Sequence, residues 1–299
     1  MTLQQLGEDK LLARLLPSLP RNARVVVGAG DDCAMVRFPH AKELLLLKTD
    51  CVVAGVHFAV DAPADRVGWK AIMRPLSDFA AMSGLPEFAL ITLVLPKTTN
   101  VAWLRQFYRG ARRAAAHFGV VIVGGELSAS AGPIVVSVSV NGHVSPQRCV
   151  LRSGGKIGDD LYVTGRLGGS MPSRHLNFLP RIFEARWLTR NFPIHAMMDL
   201  SDGLGADLPR LARASVAGFF IAPALLPRHR GCSIAQAIGD GEDYELLLAA
   251  PRHIRARLEK KWRRQFPRLL LTRIGQLVPQ SQSMKLSAGY DHFQQRQRN

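Results

Sequence analysis

Leu44-Leu-Leu-Leu-Lys-Thr-Asp50, Val67-Gly-Trp-Lys-Ala-Ile-Met-Arg-Pro-Leu-Ser-Asp78 and Phe88-Ala-Leu-Ile-Thr-Leu-Val-Leu-Pro96 follow one another within 53 residues. The first is a short apolar run with a polar tip, the pattern of a buried strand. The second carries Trp69, Ile72, Met73, Leu76 and Ala80 at helical spacing over 66–84. The third, 88–95, reads as a strand closed by proline. Strand and helix signals therefore alternate.

Outward from there the alternation persists. Residues 6–16 read as a short amphipathic helix. Residues 101–118 form another, with Leu104, Phe107, Ala111, Ala114 and Phe118 on one face and Arg105, Arg109, Arg112 and Arg113 largely on the other. Val120–Val123 and Ile134–Val140 are expected as strands around a turn at Gly124-Gly125-Glu126. Pro146–Asp160, rich in turn residues and charge, marks the expected domain boundary. Beyond it, 161–164, 197–200 and 245–250 read as strands, and 207–214 and 254–265 as helices. Such a mixture is either α/β or α+β.

The 299 residues suffice for two domains, 1–145 and 146–299. With 47% hydrophobic and 21% charged residues the composition is that of a globular protein. The apolar runs are too short to cross a bilayer, and the polar Met1–Asp9 segment is no secretory signal. Cys33, Cys51, Cys149 and Cys232 have no metal-ligand spacing, so a cytoplasmic protein with reduced thiols is expected. The net charge of +16 raises the question of nucleic acid. Much of it sits in Arg252–Arg273, with nine Lys/Arg and one acid. Few aromatics interleave there, so a solvated helix face is the preferred reading.

The chemistry lies in the acids. Gly30-Asp31-Asp32, Thr49-Asp50, Ser77-Asp78, Asp199-Leu-Ser201-Asp202-Gly203 and Gly241-Glu242-Asp243 stand out, with Gly125-Glu126 a weaker sixth. Most follow an apolar run or adjoin glycine, where an element ends at a pocket rim. Singly, each fits a blander role: Asp31-Asp32 a turn, Asp78 an exposed helix acid, Ser201 or Asp202 a helix cap. Converging carboxylates would need a cation between them, and an all-oxygen set suits Mg²⁺. The sequence does not itself place the motifs together. There is no phosphate-binding GxxxxGK[ST] loop, protein-kinase catalytic loop or dinucleotide fingerprint.

Gly28-Ala-Gly-Asp-Asp-Cys-Ala34, Thr49-Asp50 with Gly55-Val-His-Phe58, and Leu76-Ser-Asp-Phe-Ala-Ala-Met-Ser-Gly84 resemble the thiamine-monophosphate kinases. So do Leu151-Arg-Ser-Gly154, Met198-Asp-Leu-Ser-Asp-Gly-Leu204, Gly241-Glu-Asp-Tyr-Glu-Leu246, Thr272-Arg-Ile-Gly275 and Gly289-Tyr-Asp-His-Phe293. These motifs keep the family's order over nearly the whole chain. The resemblance implies the fold of the aminoimidazole-ribotide synthase-like superfamily. That is an α+β arrangement: an N-terminal α+β domain with a dimer-forming sheet, then a C-terminal α/β domain. It implies transfer of a phosphoryl group from ATP to thiamine phosphate, with Mg²⁺, in a homodimer acting without membrane or nucleic acid.

Carried over by position, Asp32, Thr49, Asp50, Asp78, Glu126, Asp199 and Asp202 would hold metal, with Asp50, Asp78 and Asp202 at the chemistry. Tyr108, Gly125, Glu126, Arg152 and Ser201 would contact ATP, and His57, Glu242 and Tyr290 the substrate. His57 equally fits a core histidine, and Tyr290 a surface aromatic. The chain departs from the family at Glu126, where Asp is usual, and at Lys48, where Ser or Thr is usual. It departs also at Pro75, Gly169 and Gly239-Asp240. Three alternatives remain: a related ATP-using enzyme with another small substrate, a nucleotide-binding member without turnover, and a nucleic-acid binder with salt-dependent affinity.

Overall fold

A computed structural model describes residues 3–19, 22–38, 41–171, 174–286, 289–291 and 293. Met1 and Thr2 of the polar N-terminal segment, and His292 of the last motif, lie outside the described residues. The strands are β1 (Val25–Val27), β2 (Ala34–Arg37), β3 (Leu44–Val53), β4 (Leu85–Leu95), β5 (Val121–Ala129), β6 (Val135–Val144), β7 (Asp160–Thr164), β8 (Ala196–Asp199), β9 (Gly218–Ile221), β10 (Leu246–Ala250) and β11 (Leu271–Val278). The helices are α1 (Leu3–Leu6), α2 (Glu8–Leu15), α3 (Ala64–Ala81), α4 (Val101–His117), α5 (Ile182–Asn191), α6 (Leu204–Ala214), α7 (Ile234–Gly239) and α8 (Arg255–Gln265).

The chain forms two compact units. One contains 32–149 and 172–191; the other contains 1–31, 150–171 and 192–299. Neither is continuous in sequence. No helix among the described residues is long and apolar enough to cross a membrane.

In the 32–149 unit, strands run in the order β2-β3-β6-β4-β5. Pairing is antiparallel except between β4 and β5, which run parallel. One face carries Leu44, Leu46, Val52, Ile91, Leu93 and Val138, all buried on the side packed by α3, with α4 against α3 and β5. The period-2 alternation puts the other side chains on the opposite, open face. There Leu47, Phe88 and Leu90 are exposed. Helices α3 and α4 cross closely because Gly110 has no side chain: a Cβ there would lie 1.7 Å from the Asp65 carbonyl oxygen.

The expected turn at Gly124-Gly125-Glu126 is corrected: β5 runs straight through it. Gly125 serves close approach instead. A Cβ there would lie 1.8 Å from the Ile91 carbonyl oxygen on β4. The helix predicted over 6–16 is α2, Glu8–Leu15, which starts after Gly7, whose φ is 77°, while Leu6 ends the separate α1.

In the other unit the order is β8-β10-β7-β11-β9, with antiparallel pairs throughout. Every residue of β7, β8 and β10 is buried; β10 is wholly apolar, while β7 and β8 carry Asp160 and Asp199 at their ends. Leu204, Leu208 and Leu211 of α6 pack with Leu161, Val163, Met198 and Leu247 of the sheet in one core.

Candidate active site

Strand β3 sorts its polar residues by face. Lys48 and Asp50 share parity with buried Leu44, Leu46 and Val52, so they lie on the helix-covered side. Helix α3 brings Asp78, buried, to that side. The Lys48 Nζ donates to Asp78 Oδ1 at 2.7 Å and lies 3.8 Å from Asp50 Oδ1. Asp32, just before β2, is also buried, and its carboxylate comes within 4.8 Å of that of Asp78. Burial would lower the Lys48 pKa, but Asp78 first and Asp50 second overcome it and hold the ammonium charged. The neighbouring Cys33 thiol is pushed well up by burial foremost and by the Asp78 charge, so it is not a thiolate competing for a metal.

Thr49 points the other way. Its hydroxyl lies 3.4 Å from Ser137 Oγ and accepts from Ser139 Oγ at 3.1 Å on the open face. Glu126 is in register with Thr92, which is in register with Ser137, so it shares that open face. Its carboxylate accepts from Ser128 Oγ at 3.3 Å. Glu126 is three strand spacings from Asp50, roughly 14 Å across the sheet. The structure thus brings Asp32, Asp50 and Asp78 together and puts Thr49 and Glu126 on the opposite face. Gly125 lies on the edge strand, and half-buried Tyr108 on α4 meets Phe107 edge-on. His57 is buried; its Nδ1 accepts from the Val53 amide at 3.1 Å, and its carbonyl accepts from Lys70 Nζ at 2.6 Å.

In the other unit, Asp199 ends β8 and is buried. The loop after it is strapped to a second loop: the Glu242 amide donates to the Ser201 carbonyl at 2.7 Å, and the Tyr244 amide to the Leu200 carbonyl at 2.8 Å. Glu242 and Tyr244 both adopt positive φ, 59° and 52°, uncommon for residues with a Cβ and a form of strain that concentrates at functional loops. The Tyr290 amide donates to the Asp202 carbonyl at 2.9 Å. Asp199, Ser201, Asp202, Glu242 and Tyr290 are therefore gathered at the end of β8. Arg152 is held nearby by its backbone, its amide donating to the Asp31 carboxylate at 3.2 Å.

Two partners of this cluster have no motif of their own in the sequence. The Arg210 Nη1 meets Asp202 at 2.5 Å and Asp207 at 3.0 Å, while its Nη2 reaches Asp9 at 3.1 Å. Burial foremost, then the Asp202 charge, pushes the Asp207 carboxyl well up. The i,i+3 spacing of Asp207 and Arg210 is the signal from which this pair was legible. Arg210 and Tyr290 line a cavity of about 360 Å³ with Asp9 and Gly205. Lys70, fully buried and 2.7 Å from His175 Nδ1, was likewise visible as a lysine in an apolar helical stripe.

The donor set on the covered face is all carboxylate, which suits a hard divalent cation. Residues 30–144 match the family described as AIR synthase related protein, N-terminal domain. The thiamine-monophosphate kinase of Rhodopirellula baltica is 34% identical over 257 residues, 80% of this chain and 81% of that protein. That of Escherichia coli K12 is 34% identical over 284 residues, 85% of each. Among solved structures, AaThiL complexed with AMPPCP and TMP superposes with a TM-score of 0.80 at 32% identity, covering 97% of this chain and 94% of that one. The hydrogenase maturation protein HypE of E. coli, 17% identical with a TM-score of 0.68 over 91% of this chain and 92% of that one, shares the fold. The chain belongs to the thiamine-monophosphate kinase family.

Proposed function

We propose that this protein transfers the terminal phosphoryl group of ATP to thiamine phosphate, giving thiamine diphosphate. The observation that carries this is the likeness to AaThiL, whose structure holds AMPPCP and TMP together. The acceptor is a phosphate oxygen, largely ionised at neutral pH because its second pKa is about 6. No general base is needed, so catalysis reduces to alignment and charge neutralisation.

Asp32, Asp50 and Asp78 would hold Mg²⁺ in one unit, Asp199 and Asp202 in the other, with Thr49 and Glu126 as further candidate ligands. The ion supplies charge stabilisation to the transferring phosphoryl group. Tyr108, Gly125, Glu126, Arg152 and Ser201 would contact ATP, and His57, Glu242 and Tyr290 thiamine phosphate. Asp50, Asp78 and Asp202 would act at the reacting phosphates. The Tyr290 ring suits the cationic thiazolium. A homodimer would cover the open sheet face with exposed Leu47, Phe88 and Leu90; sedimentation at a monomer mass would refute it. The contiguous division into 1–145 and 146–299 is kept as a functional partition. A cytoplasmic location fits Cys33, Cys51, Cys149 and Cys232 as thiols outside any disulfide.

One observation favours a second reading, nucleotide binding without turnover: Asp78 and Asp202 are each already paired with a basic side chain. Thiamine diphosphate formation from thiamine phosphate and ATP, with Mg²⁺ and with chelator, decides. Magnesium-dependent product supports the kinase; ATP binding by folded protein without product supports the second reading.

A further inference from the structure

Lys48 is the unusual member of the covered carboxylate group. A lysine on the helix-covered side of a strand loses hydration and needs compensation. Lys48 finds it in acids: 2.7 Å to Asp78 Oδ1 and 3.8 Å to Asp50 Oδ1. The Asp32 carboxylate lies within 4.8 Å of that of Asp78. Within this unit, the three carboxylates and one ammonium leave two net negative charges, the charge of one divalent ion. Without the ammonium, one divalent ion would leave a negative charge uncompensated. Asp78 Oδ1 would also lose the donor it now accepts from. An ammonium has three N–H groups and no lone pair, so it competes with a metal for the carboxylates and cannot join its coordination shell.

We propose that the Lys48 ammonium is a built-in cation standing between Asp50 and Asp78 in place of a divalent ion. The chain consequently binds one divalent ion fewer than it would with a neutral oxygen-bearing residue at that position. The inference rests on the reading of these acids as a metal site and extends it to the number of ions the site takes. Lys48 is a positioning residue: it fixes the two carboxylates and sets the local charge without touching the transferring group through a metal.

The test counts manganese bound per chain, from the electron paramagnetic resonance of free Mn²⁺. It uses the unaltered full chain, Lys48→Thr and Lys48→Arg, each with and without a non-hydrolysable ATP analogue. Lys48→Thr should take up one more Mn²⁺ per chain than the unaltered protein, and Lys48→Arg should keep the unaltered count. Equal counts in Lys48→Thr and the unaltered protein overturn the proposal. Should Lys48→Thr not fold, anomalous diffraction from manganese-soaked crystals of the unaltered chain decides. Lys48 Nζ remaining on Asp78, with no manganese between Asp50 and Asp78, supports the proposal. Manganese bridging those carboxylates with Lys48 displaced overturns it. Thiamine diphosphate formation is assayed in parallel. The expected counts without product would remove the kinase reading alone; product with equal counts would remove the Lys48 proposal alone.

Discussion

Replacing Asp78 with Asn tests both the electrostatics of the covered face and its chemistry. The change keeps the shape and one hydrogen-bond acceptor while removing the charge. At an effective dielectric constant of about 20, the Asp78–Lys48 attraction at 2.7 Å is roughly 6 kcal/mol. The repulsion relieved between Asp78 and Asp32, within 4.8 Å, is roughly 3 kcal/mol on the same scale. The difference, about 3 kcal/mol, agrees with the usual cost of breaking a buried pair. In metal-free buffer the unfolding midpoint of Asp78→Asn should therefore fall by about 6–12 °C. Lys48→Met combined with Asp78→Asn should lose much less than the two single changes added together, with a coupling of about 2–3 kcal/mol. Calorimetry on the four proteins measures both quantities. Additive losses would show that the pair contributes nothing. In the kinase assay Asp78→Asn should form no thiamine diphosphate while remaining folded below its lowered midpoint. A folded and fully active Asp78→Asn protein would sink the role assigned to this carboxylate.

Three further outcomes follow from particular contacts. The Asp243 carboxyl is pushed up to about 7 by burial, despite hydrogen bonds from Ser170 and the Gly168 amide. Because the folded value lies above the unfolded one, its contribution is full below about pH 4 and is lost as pH rises to about 7, by up to about 4 kcal/mol. Asp243→Asn should remove that part of the decline in a pH series of urea midpoints, and parallel series would contradict it. Arg210→Met removes the charge-assisted hydrogen bonds that Asp202 and Asp207 receive and should cost about 1.5–3 kcal/mol, with Arg210→Lys recovering part; an unchanged urea midpoint would argue against these contacts. Gly125→Ala forces a methyl against the Ile91 carbonyl and should destabilise by about 1–3 kcal/mol, read as a lowered thermal midpoint; no change would mean β5 shifts freely at the sheet edge.

The legible parts of this molecule were its periodic ones. Strand β3, helix α3 and strand β4 lie close to where alternation and helical spacing put them, because those patterns are local consequences of backbone geometry. Gly124-Gly125-Glu126 misled for an equally local reason. Paired glycines signal a turn, yet Gly125 is required by the carbonyl of a strand whose pairing is not encoded nearby. The clustering of Asp199, Ser201, Asp202, Glu242 and Tyr290 depends on backbone hydrogen bonds between segments some 40 to 90 residues apart, which no spacing rule reports.

By itself the amino-acid order determined the type of the strongly periodic elements such as β3, α3 and β4, the family and the supply of carboxylates. Tertiary structure alone decided which acids meet. A period of two assigns Thr49 and Asp50 to opposite faces, but only the docking of α3 makes one of them the covered face with Asp32 and Asp78. The same docking turned Lys48 from a substitution of unknown direction into the cation held between two aspartates. Charge partners are chosen by proximity in space, and in this chain proximity is set by sheet order and helix packing rather than by neighbours in the sequence.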